Sequence, residues 1–548
     1  MADREQNPQG ARNIDTGAKK SENNIELSES VDRVAVDHHE ALSPSSTIPA
    51  WKSLNQVDGD TALALFDNAE QLNEIVDPAE ERRLVRKIDM LILPCLIVCY
   101  TFYYVDKTTL SYAAIFGIRT DLNLVGTEYS WLSSVFYFGW LVWAFPTNYM
   151  LQRFPLAKYL AINIFMWGAL LMCQAAARNF TQLAVLRILS GGVEGCSDSA
   201  FMLITTMWYT RREQPIRVGI WYTANGLGNA IGGLLGYGIG HINGSLPSWK
   251  YEFLIVGALC CVWGIILFIF LPDSPVTARF LTYDEKRTSV ERLRENQTGV
   301  ENKHFKLYQV KETFCDYKTL MFFFIATFAN IPNGGISNFG TLIIKGFGFS
   351  TLVTTLMAIP YGAIIIISIL TCVFINDRLP PNNRYIMAVL FLLPSFAGAL
   401  GLRFLSSDHR VGLLIMYYLT GTNQAAFVLI LSILTGNTAG HTKKVITSAT
   451  LFVGVCVGNI GGPFFYKSNQ APEYRLGIGS MIVGYAVEIG LVFTLGLLLK
   501  RENKRRDALQ GIDRSSTAAD EFEARRELNA TAFSDMTDRE NMNFRYVY

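Results

Sequence analysis

Apolar residues in this chain come in long unbroken runs, neither alternating as in a strand nor confined to one stripe as on a surface helix. About 20 such residues cross a bilayer. Windows of that kind predict twelve membrane helices, near residues 88–114, 128–150, 157–177, 182–209, 217–241, 251–271, 319–343, 350–376, 385–404, 411–435, 445–466 and 476–499. A polar stretch, 272–318, divides them into six and six. The pattern predicts an all-α integral membrane protein: one six-helix bundle over 87–271, a middle loop over 272–318 and a second bundle over 319–499. Two halves of this kind place a solute site near the midplane between them.

The flanks, 1–86 and 500–548, are rich in Ser, Asn, Asp and Glu and offer too little apolar surface to offset the cost of order, so both are expected to be disordered tails. The end of the first is the exception. There "DPAEERRLVRKIDM" (Asp77–Met90), with Pro78 just after a capping Asp77, predicts a short amphipathic helix on the inner leaflet. Lys and Arg concentrate on one set of loops: Arg153, Lys158, Arg211, Arg212, Arg217, the middle loop, Arg378, Arg384, Lys443 and Lys444. The positive-inside rule makes those loops cytoplasmic, and both termini with them.

Composition supports the membrane reading. Half of the 548 residues are hydrophobic and only 17% are charged, against about a quarter in soluble proteins. Mean hydropathy is +0.22 even with the polar tails included. A formal charge of +1 with no basic face gives no reason to expect nucleic acid. The nine cysteines show no CxxC spacing, the six histidines are scattered, and no Ser/His/Asp set or phosphate loop occurs. These patterns predict no metal, no cofactor and no enzyme.

The candidate chemistry lies in charges that lipid should reject. "YYVDKTTLSYA" places Asp106 and Lys107 at the end of an apolar run, and helix 4, "RILSGGVEGCSDSAF", carries Arg187, Glu194 and Asp198. Each such charge costs at least ~2.5–3.5 kcal/mol at a helix centre. At ~100° per residue the three on helix 4 fall within about 20° of one stripe, which must face the bundle interior. An acid beside a base and a second acid can exchange partners, with a substrate anion on the cation and a proton on the carboxylate. Mutual neutralisation of buried charges is the alternative.

The second half carries almost no buried charge. It offers amides instead: Asn330, Asn333 and Asn338 in "FANIPNGGISNFG", where Pro332 invites a broken or bent helix 7, then Asn423 and Gln424 in helix 10 and Asn459 in helix 11. These can bond a ligand or link helices. A charged half facing a neutral polar half suits a small anion with a hydrogen-bonding body. Gly228, Gly232, Gly236 and Gly240 of helix 5 recur every fourth position, a helix-packing pattern.

Together the runs "RKIDMLILP…YYVDKTTLSYA", "FPTNYMLQRFPLAKYL", "LRILSGGVEG", "FLPDSPVTARFLTYDEK" and "GNTAGHTKKVITSATLFVGVCVGNIGGPFF…APEYRLG" resemble the anion:cation symporters of the major facilitator superfamily. Within them the likeness is to fungal allantoate permeases, and it spans roughly 85–500. It implies alternating-access uptake of a small organic carboxylate across the plasma membrane, driven by the proton gradient, with one chain as the transport unit. Carried over by motif, Asp106 and Glu194 take protons, Lys107 and Arg187 draw in the anion, and Tyr137 is the helix-2 tyrosine of the site. The family commonly has Asp-Arg where this chain has Asp106-Lys107, and Lys offers a point charge in place of a bidentate fork. Asp198 is an additional acid. The loop after helix 2 reads Asn148-Tyr149-Met150-Leu151-Gln152-Arg153 and lacks the superfamily's acid, whereas its counterpart keeps Asp377 and Arg378. Arg153, Asp377 and Arg378 are expected to lock the cytoplasmic face. Export of a fungal organic acid, or nutrient sensing without transport, are the competing functions.

Overall fold

The computed structural model describes residues 78–210, 213–294, 306–379, 382–510, 536–542 and 544–548. Expectations for residues 1–77, for 295–305 of the middle loop and for 511–535 of the C-terminal stretch lie outside the described residues. Among those described, every regular element is helical. The first half comprises α1 (Pro78–Ile115), α2 (Glu128–Arg153), α3 (Leu156–Gln174), α4 (Phe180–Glu194), α5 (Ser197–Trp208), α6 (Gln214–Tyr222), α7 (Ala224–Gly240) and α8 (Ser248–Phe270). Two short helices follow in the middle loop, α9 (Tyr283–Arg294) and α10 (Leu307–Phe314). The second half comprises α11 (Tyr317–Gly346), α12 (Thr351–Leu356), α13 (Ala358–Arg378), α14 (Arg384–Phe404), α15 (Arg410–Leu419), α16 (Asn423–Gly436), α17 (His441–Gly461) and α18 (Arg475–Leu509).

Nine of the described spans are long and apolar enough to cross a membrane on those grounds alone. The other three expected spans are α2, whose Trp and Tyr residues lower its hydropathy, and the pairs α4–α5 and α6–α7, each interrupted mid-membrane. Helix 4 is thus not the single rod that its stripe assumed. Gly191, Gly192 and Gly195 weaken the backbone there, and α5 restarts at Ser197. The reverse holds for helix 7, which runs unbroken through Pro332.

The amphipathic segment does not stand apart as a surface helix. It is the first part of α1, which runs as one helix from Pro78 to Ile115 with Pro94 inside it, and Leu84, Val85 and Ile88 are buried. Its charges help to fasten α9, with Lys87 2.6 Å from Glu285 and Glu81 3.9 Å from Arg292, and Arg292 also lies 3.1 Å from Glu213 while donating to the Trp208 carbonyl at 3.1 Å. Lys443 pairs with Glu312 of α10 at 2.8 Å. Each helix of the middle loop therefore belongs to its own half. The C-terminal stretch is ordered at both described ends, because α18 extends to Leu509 and residues 536–548 fold back onto the second half.

The two halves meet through backbone contact. A Cβ placed on Gly226 would lie 2.3 Å from the Gly362 carbonyl oxygen, and one on Gly362 would lie 2.2 Å from that of Gly226. Only glycine lets α7 and α13 approach this closely. The predicted four-residue stripe packs against α1: Gly228 abuts the Thr101 carbonyl and Tyr104, and Gly232 abuts Thr108 and Tyr112. Hydrogen bonds between halves gather at the end opposite Pro78 and Leu509. Ser111 and Thr341 hydroxyls lie 2.8 Å apart, Tyr129 donates to the Asn338 carbonyl at 2.7 Å, Ser134 to that of Ile460 at 2.8 Å, and Arg119 to the Ser468 hydroxyl at 2.8 Å. Among the described residues no hydrogen bond joins the halves at the tail-bearing end.

Gly226→Leu and Gly362→Leu should each disrupt the assembled protein, at a cost of at least ~1–3 kcal/mol. Gly238→Ala, with no atom within 4 Å of the added carbon, should be neutral. Melting temperatures in detergent measure both, and equal melting of all three variants would contradict the contact.

Candidate functional site

Two glycine contacts set the depth of Arg187. A Cβ on Gly191 would lie 2.0 Å from the Phe136 carbonyl oxygen, and one on Gly139 would lie 1.9 Å from that of Ile188, so α2 and α4 touch backbone to backbone. The contact presses Arg187 against α2. Its Nε donates to the Leu132 carbonyl at 3.3 Å and its guanidinium carbon stands 5.1 Å from the Phe136 ring centre. Arg187 is 3% exposed, its Nη1 has no partner, and among the described residues no carboxylate lies within 4 Å of it. The expected alternative, mutual neutralisation by Glu194 or Asp106, is not formed as an ion pair.

Asp106 is buried, and one carboxylate oxygen accepts the Trp167 indole N–H at 2.9 Å while the other has no donor. Both oxygens of buried Glu194 lack a donor. Lys107, half-buried on the neighbouring face, sits 3.9 Å from the Tyr103 ring centre and 5.1 Å from that of Tyr104. The Tyr103 hydroxyl in turn donates to Asp198 at 3.4 Å. Asp198, on α5 just after the break, thus stands with Tyr103. Tyr137 is buried edge-on against Phe136, beside Trp140 and Cys456.

In the second half the amides form a chain. Gln424 donates to Asn333 at 3.2 Å, Asn333 to Asn459 at 3.0 Å, Asn459 to Asn330 at 3.0 Å, and Asn330 to the Ala326 carbonyl at 2.8 Å. Between the halves lies a cavity lined by Tyr104, Thr108, Asn225, Asn229, Asn333, Ser337, Tyr361, Tyr417 and Gln424, with about 30 Å³ open to water centres. This is room for a few waters. The wall carries no charge and mixes these polar groups with Ile336, Ile344 and Ile365, and both halves contribute to it. Asn338 bonds its own helix through the Gly334 carbonyl at 2.8 Å, Asn423 reaches the Ala329 carbonyl at 3.4 Å, and these two with Asn459 stand outside the wall.

The expected gating residues lie at the tail-bearing end. Arg153 and Arg378 are exposed and stack on neighbours of their own helices, 5.4 Å from the Tyr149 ring centre and 4.0 Å from that of Phe374. Asp377 borders an apolar groove between α6 and α13 with Ile216 and Phe374. Two acids escaped the sequence reading. Glu252 of α8 and Glu488 of α18 are fully buried with no donor to either oxygen. Glu488, in "GYAVEIG", overturns the expectation of a second half almost without buried charge, and the rule that flagged Glu194 would have found it.

Residues 96–463 match the model of the Major Facilitator Superfamily. An uncharacterized transporter of Schizosaccharomyces pombe is 40% identical, covering 85% of this chain and 87% of its own. The allantoate permease of Saccharomyces cerevisiae is 35% identical, over 89% of this chain and 90% of its own. Among solved structures, a bacterial homologue of the human lysosomal transporter Spinster, inward-facing and unoccupied, aligns with a TM-score of 0.56 at 15% identity, over 74% of this chain and 96% of that one.

Removing the centre of the amide chain with Asn459→Ala leaves the Asn330 side-chain oxygen and the Asn333 amide N–H without the bonds that Asn459 gives them. The expected loss is ~1–3 kcal/mol. A thermal melt in detergent reads it, and an unchanged melting temperature would show that the chain carries no stability.

Proposed function

The chain belongs to the major facilitator superfamily, and on that premise we propose that this transporter takes up a small organic carboxylate together with protons across the plasma membrane, both termini lying in the cytoplasm. Membership makes it a multi-pass membrane transporter and not an enzyme. The observation that carries the finer reading is Arg187: a buried guanidinium, held by a carbonyl and a ring face, without a carboxylate of its own. Charge at that depth is kept where it meets a partner. A substrate carboxylate supplies one.

Asp106 and Glu194 are the proton carriers in this reading. Three of their four oxygens have no donor, which leaves them open to a proton. With the proton bound, Arg187 is left to the substrate anion. With the proton lost, the carboxylates compete for that cation and the anion is released. Proton and anion thus each favour the state that holds both, which is the differential affinity that alternating access requires. Lys107, seated on Tyr103 and Tyr104, guides the anion along the cavity wall that Tyr104 helps to form. Tyr137 packs Phe136 under Arg187. Asn333 and Gln424 meet the neutral body of the solute, while Asn338, Asn423 and Asn459 support them from behind. Arg153, Asp377 and Arg378 close the cytoplasmic mouth when the halves rock. Allantoate is the first solute to test, from the name of the 35% identical relative.

Labelled allantoate, with other carboxylates as competitors, should enter permease-deficient cells faster from acidic than from neutral medium. Arg187→Gln should abolish uptake at unchanged surface expression. Glu194→Gln should keep exchange of solute for solute but lose the dependence on external acid; proton dependence intact in that variant would sink the coupling assignment. Net efflux in place of accumulation would make the protein an exporter.

A further inference from the structure

The last described residues, 536–548, lie along the tail-bearing end of the second half. Asp538 is fully buried there. Its carboxylate meets the ammonium of Lys318, at the start of α11, and lies 2.9 Å from that of Lys443, at the start of α17. Asp316 stands 3.4 Å and 2.8 Å from the same two ammonium groups. Arg506 of α18 donates to the carbonyls of Asp538, Asn541 and Phe544 at 3.0, 3.2 and 2.9 Å, and to the Tyr546 hydroxyl at 2.9 Å. That hydroxyl donates to Asp538 at 2.8 Å. Asn503 brackets the backbone of Tyr546 at 2.8 and 2.9 Å, and Asn437, just past α16, brackets that of Val547 at 2.6 Å twice. The amide of Arg384, opening α14, donates to the Tyr548 carbonyl at 3.1 Å.

We propose that residues 536–548 are an intramolecular strap that completes the second half, tying the tail-bearing ends of α11, α14, α16, α17 and α18 into one body. Those ends lie on the side where, among the described residues, no hydrogen bond joins the halves. They are the ends that must close when the opposite side opens. The strap touches all five and fixes the α16–α17 hairpin through Asn437 and Lys443, so the hairpin moves with its half and not by itself.

The chemistry of Asp538 makes this attachment permanent in neutral and mildly acidic solution. Burial alone would raise its carboxyl, but Lys318 and Lys443 hold it below the ordinary carboxylate range. Arg506 and Tyr546 also face it, and Asp316 and Glu312 share its lysines. A group with a lowered folded-state value contributes fully above its unfolded pKa and loses that contribution only as pH falls through the folded one. The contribution of Asp538 to docking is therefore lost only below the ordinary carboxylate range.

Cross-linking tests the placement. A Cβ on Gly436 would stand 3.8 Å from that of Val547, within the range of a disulfide. Full-length protein carrying Gly436→Cys and Val547→Cys should oxidise to near completion in membranes, read by mass mapping of the linked peptides. Asp538→Asn should lower the melting temperature by about 5 °C, and the cross-link should restore most of that loss. No linked peptide under conditions that modify exposed Cys173 would overturn the strap. So would an Asp538→Asn protein that melts with its parent. If Asp538→Asn does not fold, the cross-link in the otherwise unchanged chain still decides.

Discussion

Lipid supplies no counter-charge and no hydrogen-bond partner, so every ion taken into the helical body has to find its answer inside the protein. At the tail-bearing end the answer is another ion: Arg292 with Glu213, Lys443 with Glu312, Asp316 and Asp538, Lys87 with Glu285. Deeper in the first half the answer is different. Arg187 rests on a carbonyl and an aromatic face, Asp106 on one indole, and Glu194 on nothing that donates. Clasps of opposite charge hold the ends in one geometry, whereas the deep ions keep unused bonding capacity. That spare capacity is what a solute and a proton would use.

The contacts between halves follow the same logic at lower energy. At the sealed end they are hydroxyls on backbone carbonyls, as from Tyr129 and Ser134, with one exposed arginine on a serine. Each such bond contributes only about 0.5–1.5 kcal/mol net, because water replaces it when it breaks. An interface built from these separates without stranding a charge. By contrast, the α7–α13 approach at Gly226 and Gly362 is backbone against backbone. It can act as a pivot about which the ends alternate.

Much of this was legible in the sequence, because apolar run length is a direct image of bilayer thickness. The division into halves, the twelve spans and the burial of Arg187, Glu194 and Asp106 all follow from it. What escaped was local. The break after Glu194 depends on how glycines pack against α2 and not on the count of apolar residues. Pro332 misled in the other direction, since neighbouring helices hold α11 straight enough to remain one helix. The strap could not be read from composition: residues 536–548 are polar, and their order comes from partners supplied by five other helices. Asn338 and Asn459 also show why an amide in a membrane helix is ambiguous, for each spends its donors on protein.

The lysine at 107 then has a physical account. An arginine there would offer a planar fork with five donors, more than Tyr103 and Tyr104 could occupy. An ammonium is compact, and it lies over the Tyr103 ring while the same tyrosine's hydroxyl points to Asp198. Lys107, Tyr103 and Asp198 thus form one unit, in which the extra acid balances the less directional base. This unit stands beside Tyr104 at the edge of the uncharged cavity, while Arg187 is buried against α2. With so little open volume in this state, an organic acid fits only as the halves part, and Lys107 stands beside Tyr104 on the wall that parts. On the proposed reading, Lys107 is therefore the charge that first meets the anion and Arg187 the one that keeps it.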